Sequence, residues 1–514
     1  MDLSNKGLAG GSQGAALPSA RPLIEYTASE LVFGLVYAVG TEYRKGVDCL
    51  AKQIRRFGYE PLEVRMSDYL AAMTSADWKT EHERIDVLMD IGDMVRERSG
   101  RGDIVALSAI AKVAADRHRR FRTKTPKPLG KVAYILYSLK HEDEVAALRR
   151  VYGSGFYLIG FFSPEHKRLH HLMHSLDVPK REALRLIGRD QGEQSDYGQQ
   201  TRKTFELADF FVTCDNFDPE LGRLLDLVFG HPYTTPNIDE YSMFVAYAAS
   251  LRSCQLGRQV GAAIVGDSGD LISVGCNDVP SFGGGLYWPG PRDKRDHVLG
   301  FDSNDESRDA IVDGIMAALR PRLSKANRLV EGRRLLKHSG LFDMTEYGRA
   351  IHAEMDALLA CARSSASPRN ATLYTTTFPC HNCTRHIIGA GIKRVVYIEP
   401  YPKSKAAKLH SDAIEVERAG GGTAAEKIPF ESFIGVGPRR YFQLFSTTLG
   451  GGYEIIRKKN GKTVKWDPLV STPRVPMMPM SYLYREQLAS ELFSDTIKGL
   501  ESKRRDRRKK NGHR

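Results

Sequence analysis

His352-Ala353-Glu354 and Cys380-His381-Asn382-Cys383, the second entered through Pro379, are the residues of this chain best suited to chemistry. One imidazole and two thiolates supply three corners of a zinc tetrahedron, and a metal held by three side chains keeps its fourth position for water. Zinc lowers the pKa of such a water to about 7, so hydroxide becomes available near neutral pH. Glu354 is not needed as a ligand. A carboxylate two residues from His352 can take a proton from that water and pass it on, as a general base and then acid. The competing reading is a closed zinc site that only braces the fold. It needs a fourth ligand, for which Asp356, His381 and His386 are nearby in sequence, and it has no use for Glu354.

Helix starts must place these groups. Backbone N–H groups and the positive end of the helix dipole stabilise thiolates, so Cys380 is expected to open a helix. His352 and Glu354 fall at the start of another, with Met355, Leu358 and Leu359 as its buried side. The surrounding pattern reads helix (240–253), strand (262–265), strand (271–277), insertion (280–349), helix from His352, strand (372–377), helix from Cys380, strand (394–398). The insertion is far longer than an ordinary connection. It carries Gly283-Gly-Gly285, Trp288-Pro-Gly-Pro291 and a helical pattern over 309–335. A lid over the substrate is one expectation, and a surface decoration or oligomer contact the other.

Upstream, strands are predicted over 30–41, 61–65, 131–138 and 156–162, with helices over 43–57 and 142–152. This alternation predicts an α/β layer with a parallel sheet. A break at His231 to Pro236 marks the main boundary. The expected organisation is a disordered leader (1–25), a first domain (26–231), a second domain (232–445), a C-terminal extension (446–500) and a basic tail (501–514). Residues 427–467 are expected to pack on the second domain.

Seven cysteines in 514 residues make no disulfide framework, and only Cys380 and Cys383 have ligand spacing. Cys49, Cys214, Cys254, Cys276 and Cys361 read as buried structural thiols, and a reducing cytoplasm is the expected location. No apolar run is long enough for a membrane helix, and the leader lacks the apolar core of a secretory signal. The net charge is +13, but residues 503–514 carry eight Lys/Arg against Asp506 alone. Seven of the thirteen charges therefore sit in a tail that lacks hydrophobic periodicity and is expected to be disordered and solvated.

The order H-x-E…P-C-x-x-C is the signature of zinc-dependent nucleobase deaminases. Together with Ser253-Cys254, Arg258-Gln-Val-Gly-Ala-Ala-Ile-Val265 and Val274-Gly-Cys-Asn-Asp-Val-Pro280, it makes residues 239–419 resemble the deoxycytidylate deaminase group. In that group an Arg-x-x-Gly-Ala strand entry and a Gly-x-Asn strand end flank the nucleotide. The resemblance therefore implies substrate contacts from Arg258 and Asn277, the latter to the sugar 3′-hydroxyl. On its own, Asn277 is equally a turn residue.

Residues 30–445 as a whole resemble the bacterial anti-phage deoxycytidine-nucleotide deaminases, through 137–145, 189–200, 283–288 and 433–441. That resemblance implies a P-loop-kinase-like parallel sheet with helices, fused to a cytidine-deaminase-like three-layer α/β/α domain. It further implies Zn2+, conversion of dCTP and dCMP to their uracil counterparts, depletion of dCTP in defence against phage, a homo-oligomer and, in some relatives, inhibition by a small RNA. The first domain departs from a working kinase. A Walker A loop is G-x-x-x-x-G-K-[ST], whereas here five residues separate Gly34 from Gly40 and Thr41 follows with no Lys. Tyr37 would crowd a phosphate, and Arg44 or Lys45 replaces the Lys poorly. Gly34, Gly40 and Thr41 are candidate contacts in a degenerate nucleotide-sensing module. A plain scaffold and an active kinase are the other readings, the last weakened because phosphoryl transfer leans on that Lys.

Two further readings compete with a mononucleotide deaminase: a polynucleotide cytidine deaminase gripping RNA or DNA with the basic tail, and a catalytically silent nucleotide or RNA sensor.

Overall fold

A computed structural model describes residues 29–511, apart from 73–77, 122–126, 193–197, 337–338, 344–345, 399–404, 418–425, 449–452, 476 and 478. The expected leader and the last three residues of the tail lie outside the described residues.

Uninterrupted apolar runs dictate the first sheet. β1 (Leu31–Tyr37), β3 (Val132–Tyr137) and β4 (Phe156–Phe162) are buried along their whole length, as strands covered on both faces must be. With β2 (Glu60–Arg65) and β5 (Phe210–Thr213) they form parallel pairs in the order β5-β4-β1-β3-β2. Helix α1 (Tyr43–Arg56) follows β1, while α2 (Ser67–Ala72), α3 (Glu81–Ser99) and α4 (Ile104–Phe121) separate β2 from β3. α5 (Glu142–Tyr152) follows β3; α6 (Glu165–His174), α7 (Lys180–Gln191) and α8 (Thr201–Glu206) separate β4 from β5; α9 (Phe217–Val228) closes the set. Alternate residues of β1 serve two cores. Leu31, Phe33 and Leu35 join α1 and α9, and Val32 and Val36 join α4 and α5.

The second domain starts at α10 (Ile238–Ser250), fixed by a capping box in which Asn237 and Glu240 satisfy each other's backbone N–H groups. β6 (Gly261–Val265) and β7 (Leu271–Cys276) form a hairpin. The insertion contributes α11 (Asp296–Leu299), α12 (Ser303–Leu319) and α13 (Lys325–Leu336). Then come α14 (Ala353–Ser364), β8 (Thr372–Thr375), α15 (His381–Gly389), β9 (Arg394–Tyr397), α16 (Ala406–Leu409), β10 (Ile414–Val416) and β11 (Ile428–Ser432). The sheet order is β10-β11-β9-β8-β6-β7, with β6 antiparallel to both neighbours and the other pairs parallel. Ala262 and Ile264 face α14 and α15, while Ala263 and Val265 face α10. The expected three layers are present. Gly275 sets how close α14 lies: a Cβ there would stand 2.2 Å from the Ala353 carbonyl and 2.4 Å from the Ala357 nitrogen.

Several expectations differ from the structure. The helical pattern over 309–335 is two helices, because Pro321 cannot continue the first. The segment expected to pack on the second domain does so in part, since β11 joins its sheet and Tyr441 stacks on Phe244 of α10, but it also crosses to the first domain. β12 (Gly435–Val436) adds antiparallel to β5, and α17 (Tyr441–Phe445) contributes Leu444 to the core of α1 and α9. A two-residue glycine-containing edge strand carries no periodicity that could announce this crossing. Glu240 ties the domains together: its carboxylate pairs with Arg223 of α9 at 2.6 Å and accepts the Val436 N–H at 2.8 Å.

The extension and the basic tail form one helix, α18 (Pro479–Asn511), so the expected disorder over 503–511 is corrected. Its anchor is buried. Arg117 of α4 bonds Glu30 at 2.9 Å and Glu486 of α18 at 3.1 Å, and the Tyr482 hydroxyl donates to Glu30 at 2.6 Å. Once the helix is started by packing, Lys and Arg, which are good helix formers, sustain it. Cys254 is exposed rather than buried, on the turn after α10. No helix among the described residues is long and apolar enough to cross a membrane.

Candidate active site

His352 is the residue before α14 and Cys380 the N-cap of α15, whose sulfur accepts the Cys383 N–H at 3.4 Å. The two helix starts meet. His352 Nδ1 lies 3.3 Å from each of the two sulfurs. Ligands at ordinary zinc distances in a tetrahedron stand about 3.5 Å apart, so the three donor atoms fit one metal. Among the described residues this is the one His/Cys/Asp/Glu cluster able to hold an ion.

The proposed fourth ligands point elsewhere. Asp356 is buried against β7, where it accepts the Cys276 N–H at 3.3 Å. His381 faces Glu346 at 4.0 Å, and His386 is exposed. Among the described residues, the geometry is that of three His/Cys donors with a fourth position left over.

Glu354 is 3 % exposed and lies 3.5 Å from the Cys383 sulfur. Burial pushes its carboxyl above the ordinary range, with His352 pulling the other way. The hydrogen bond from Cys383 holds the Cys380 thiol down to about 3, and the same bond pushes Cys383 up. Two thiols and an imidazole that converge this closely suit a divalent cation, which favours their deprotonated forms. Contact with the Cys380 sulfur raises His352. A buried carboxyl whose pKa is raised by burial, beside a thiolate–imidazole cluster, is placed to take up a proton and pass it to a neighbour.

Asn277 and Arg258 lie together at the entry to β6. The Asn277 side chain accepts the Val260 N–H at 2.6 Å and donates to the Arg258 carbonyl at 2.7 Å, so it braces the loop leading into β6. A primary amide has two donors, which leaves Asn277 a second N–H. Arg258 is exposed, and its charge acts on His352. Sequence reasoning missed Thr377, whose hydroxyl is buried three residues before Cys380 without a hydrogen-bond partner. The run Thr375-Thr-Thr377 ahead of Phe378-Pro379 was its only sequence signal. The insertion is tied down at its roots, by Arg295 to Asp278 at 3.5 Å and by Arg349 to Asp296 at 2.7 Å. Gly332 of α13 packs on Val312 and Met316 of α12.

The first-domain candidates do not come together as a phosphate loop. Gly34 lies inside β1, where a Cβ would meet the Phe156 ring at 2.6 Å, so it serves strand packing. Gly40 does lie in the loop, at φ +85, against the Arg168 carbonyl. The loop amides are engaged internally: Val39 N–H donates to Asp190 at 2.8 Å and Thr41 N–H to the Ala38 carbonyl at 3.1 Å. Lys140 also bonds Asp190 at 2.8 Å. A buried carboxylate stands where an anion would sit.

Residues 236–399 match the family model described as the cytidine and deoxycytidylate deaminase zinc-binding region. The deoxycytidylate deaminase of Enterobacteria phage T4 is 30% identical over 161 residues, covering 31% of this chain and 77% of the phage protein. ComE operon protein 2 of Bacillus subtilis is 38% identical over 86 residues, 17% of this chain and 42% of that protein. The apo dCMP deaminase of cyanophage S-TIM5 aligns over 39% of this chain and 100% of its own, at 20% identity and a TM-score of 0.22. On the family match and the extent of the phage T4 relative that is covered, the chain belongs to the cytidine and deoxycytidylate deaminase family.

Proposed function

We propose that the chain hydrolyses deoxycytidine nucleotides, dCTP and/or dCMP, to their uracil counterparts and ammonia, with zinc at His352, Cys380 and Cys383. The supporting observation is the three-donor cluster with Glu354 buried beside it. Zinc, when bound, supplies the Lewis acidity that makes water a nucleophile near neutral pH. Glu354 takes a proton from the water, delivers it to the ring nitrogen next to the amine-bearing carbon, and then protonates the departing amine. Burial favours the protonated carboxyl relative to an exposed one, which suits Glu354 to carrying a proton. Asn277 holds the sugar with its remaining N–H, and the exposed Arg258 meets phosphate.

The 280–349 insertion, rooted next to Asp278, is the lid or wall of this pocket. The first domain is a regulatory module rather than a working kinase, which the engaged loop amides favour. Depletion of dCTP against phage rests on the resemblance of residues 30–445. Incubating the protein with dCMP, dCTP, CTP and a cytosine-containing oligonucleotide, with ammonia and metal content measured together, tests the reading. Ammonia from the oligonucleotide alone would overturn it. Loss of phage protection in Glu354→Ala would link the chemistry to defence.

A further inference from the structure

The first domain holds a cavity of about 390 Å³ at the carboxyl ends of β1, β2 and β3. In parallel α/β sheets ligands bind outside the carboxyl ends of the strands, where connections diverge to opposite sides. This volume lies at the small end of the range for ligand pockets. The cavity is separate from the metal cluster, which lies in the other sheet's helix layer.

Its lining has a charge to spare. Six Lys/Arg side chains face three Glu around it. Most are neutralised in place. Arg44 bonds Glu63 at 3.1 Å, Arg96 bonds Glu144 at 2.9 Å, Lys140 bonds Asp190 at 2.8 Å, Arg84 chelates Glu81 and Lys45 pairs with Glu42. Arg65 differs. Its Nε is buried without a hydrogen-bond partner, Asp68 stands off at 3.9 Å, and Nη2 reaches only the Tyr43 hydroxyl at 3.5 Å. An anionic group in the cavity would complete that guanidinium, which matches phosphate oxygens bidentately.

The remaining wall suits an aromatic ring. Tyr43 stacks on Tyr37 at 4.6 Å and 6°, and Met66, Leu70, Leu88 and Met89 supply an apolar side. Stacking on an aromatic face with an arginine at one end is how flat heterocycles bearing phosphate are commonly held. We infer that the first domain binds a nucleoside monophosphate in this cavity, its phosphate on Arg65 and its base against Tyr43 and the methionines. Recognition bypasses the Val39 and Thr41 amides of the β1–α1 loop, which Asp190 and the Ala38 carbonyl already engage. The inference rests on reading the first domain as a ligand-responsive module, and does not depend on the zinc chemistry.

The test uses full-length Glu354→Gln protein with its metal, titrated calorimetrically with AMP, dCMP and inorganic phosphate. AMP and dCMP are expected to bind, and Arg65→Ala and Tyr43→Ala each to weaken AMP at least about tenfold, the scale of one lost charge-assisted contact. Met89→Phe, which fills the cavity and spares Arg65, should weaken it likewise and covers the case in which Arg65→Ala does not fold. Unchanged AMP affinity in Tyr43→Ala and Met89→Phe overturns the inference. Phosphate binding as tightly as AMP overturns it too, because the ring would then contribute nothing. Deamination by Arg65→Ala in the Glu354 background is scored separately. If AMP binding falls as expected in a protein that deaminates nothing, the cavity stands and the zinc reading falls.

Discussion

Two strand-to-helix junctions in this chain face the same physical situation and resolve it oppositely. At the His352–Cys380–Cys383 cluster, α14 and α15 begin with His352 and Cys380, and the three donor atoms converge with no fourth His, Cys, Asp or Glu donor among the described residues. At the β1–α1 junction the convergent groups are already satisfied, since Asp190 caps Val39 and pairs with Lys140. A helix start with exposed N–H groups favours an anion or a thiolate. Whether it becomes a site depends on whether the chain supplies the anion itself. The first region is left open by three residues that lie within 31 positions of one another, and the second is closed by one carboxylate 151 positions away.

The largest effect should come from the open junction. Glu354→Gln removes the proton carrier while keeping shape and hydrogen bonding. Deamination of dCMP should fall by about 100- to 10,000-fold, with zinc content by elemental analysis unchanged. If metal is lost along with activity, Glu354 belongs to the ligand set and the comparison between an open and a closed junction fails. Asp190→Ala should have the next largest effect, at the closed junction. It strands Lys140 and the Val39 N–H in a buried setting and should cost about 3–5 kcal/mol in denaturant unfolding. It should also admit inorganic phosphate to the loop, seen as phosphate-dependent recovery of stability. Destabilisation without any response to phosphate would show that the loop is no anion cradle even when opened.

These contrasts explain which parts were legible in the sequence. His352, Glu354, Cys380 and Cys383 could be read because zinc chemistry imposes residue types at short, fixed spacing. β1, β3 and β4 could be read because strands buried on both faces are continuous apolar runs. The closure by Asp190, the crossing of β12 to β5 and the Arg117–Glu486 anchor of α18 are contacts between distant segments. Each uses a residue type that is ordinary on a surface, and no local pattern separates the two uses. Asn277 shows a middle case. Its position was legible, but its bracing of Val260 and Arg258 was not.

Gly275→Ala addresses how the open junction is held. A Cβ at 2.2 Å from the Ala353 carbonyl must push α14 outward, and overpacking of this kind costs about 1–3 kcal/mol. Because Glu354 is one residue further along that helix, dCMP turnover should fall more than unfolding free energy alone accounts for. Equal activity at a temperature where both proteins are folded would mean that α14 tolerates displacement, and that positioning at this junction is loose.

The smallest effect concerns the closed domain's response to pH. Glu220 of α9 accepts the Thr213 N–H at 2.8 Å, and burial raises its carboxyl to about 7. A folded pKa above the unfolded value means that the protonated form favours the fold. The contribution is therefore complete below the ordinary value near 4.5 and is lost as pH rises through about 7. Glu220→Gln cannot ionise, and its carbonyl can still accept from Thr213. Its melting temperature should match the parent at pH 4 and exceed it by about 2–4 °C at pH 8, as for a gain of ~1 kcal/mol in a domain of this size. An equal difference at both pH values would show that the substitution acts through packing rather than charge. The pH profile of dCMP turnover should be the same in both proteins, because Glu220 lies in the first domain and the proton carrier in the second. A shifted profile would show that titration in the first domain reaches the metal cluster, and the two junctions would then be coupled rather than merely contrasting.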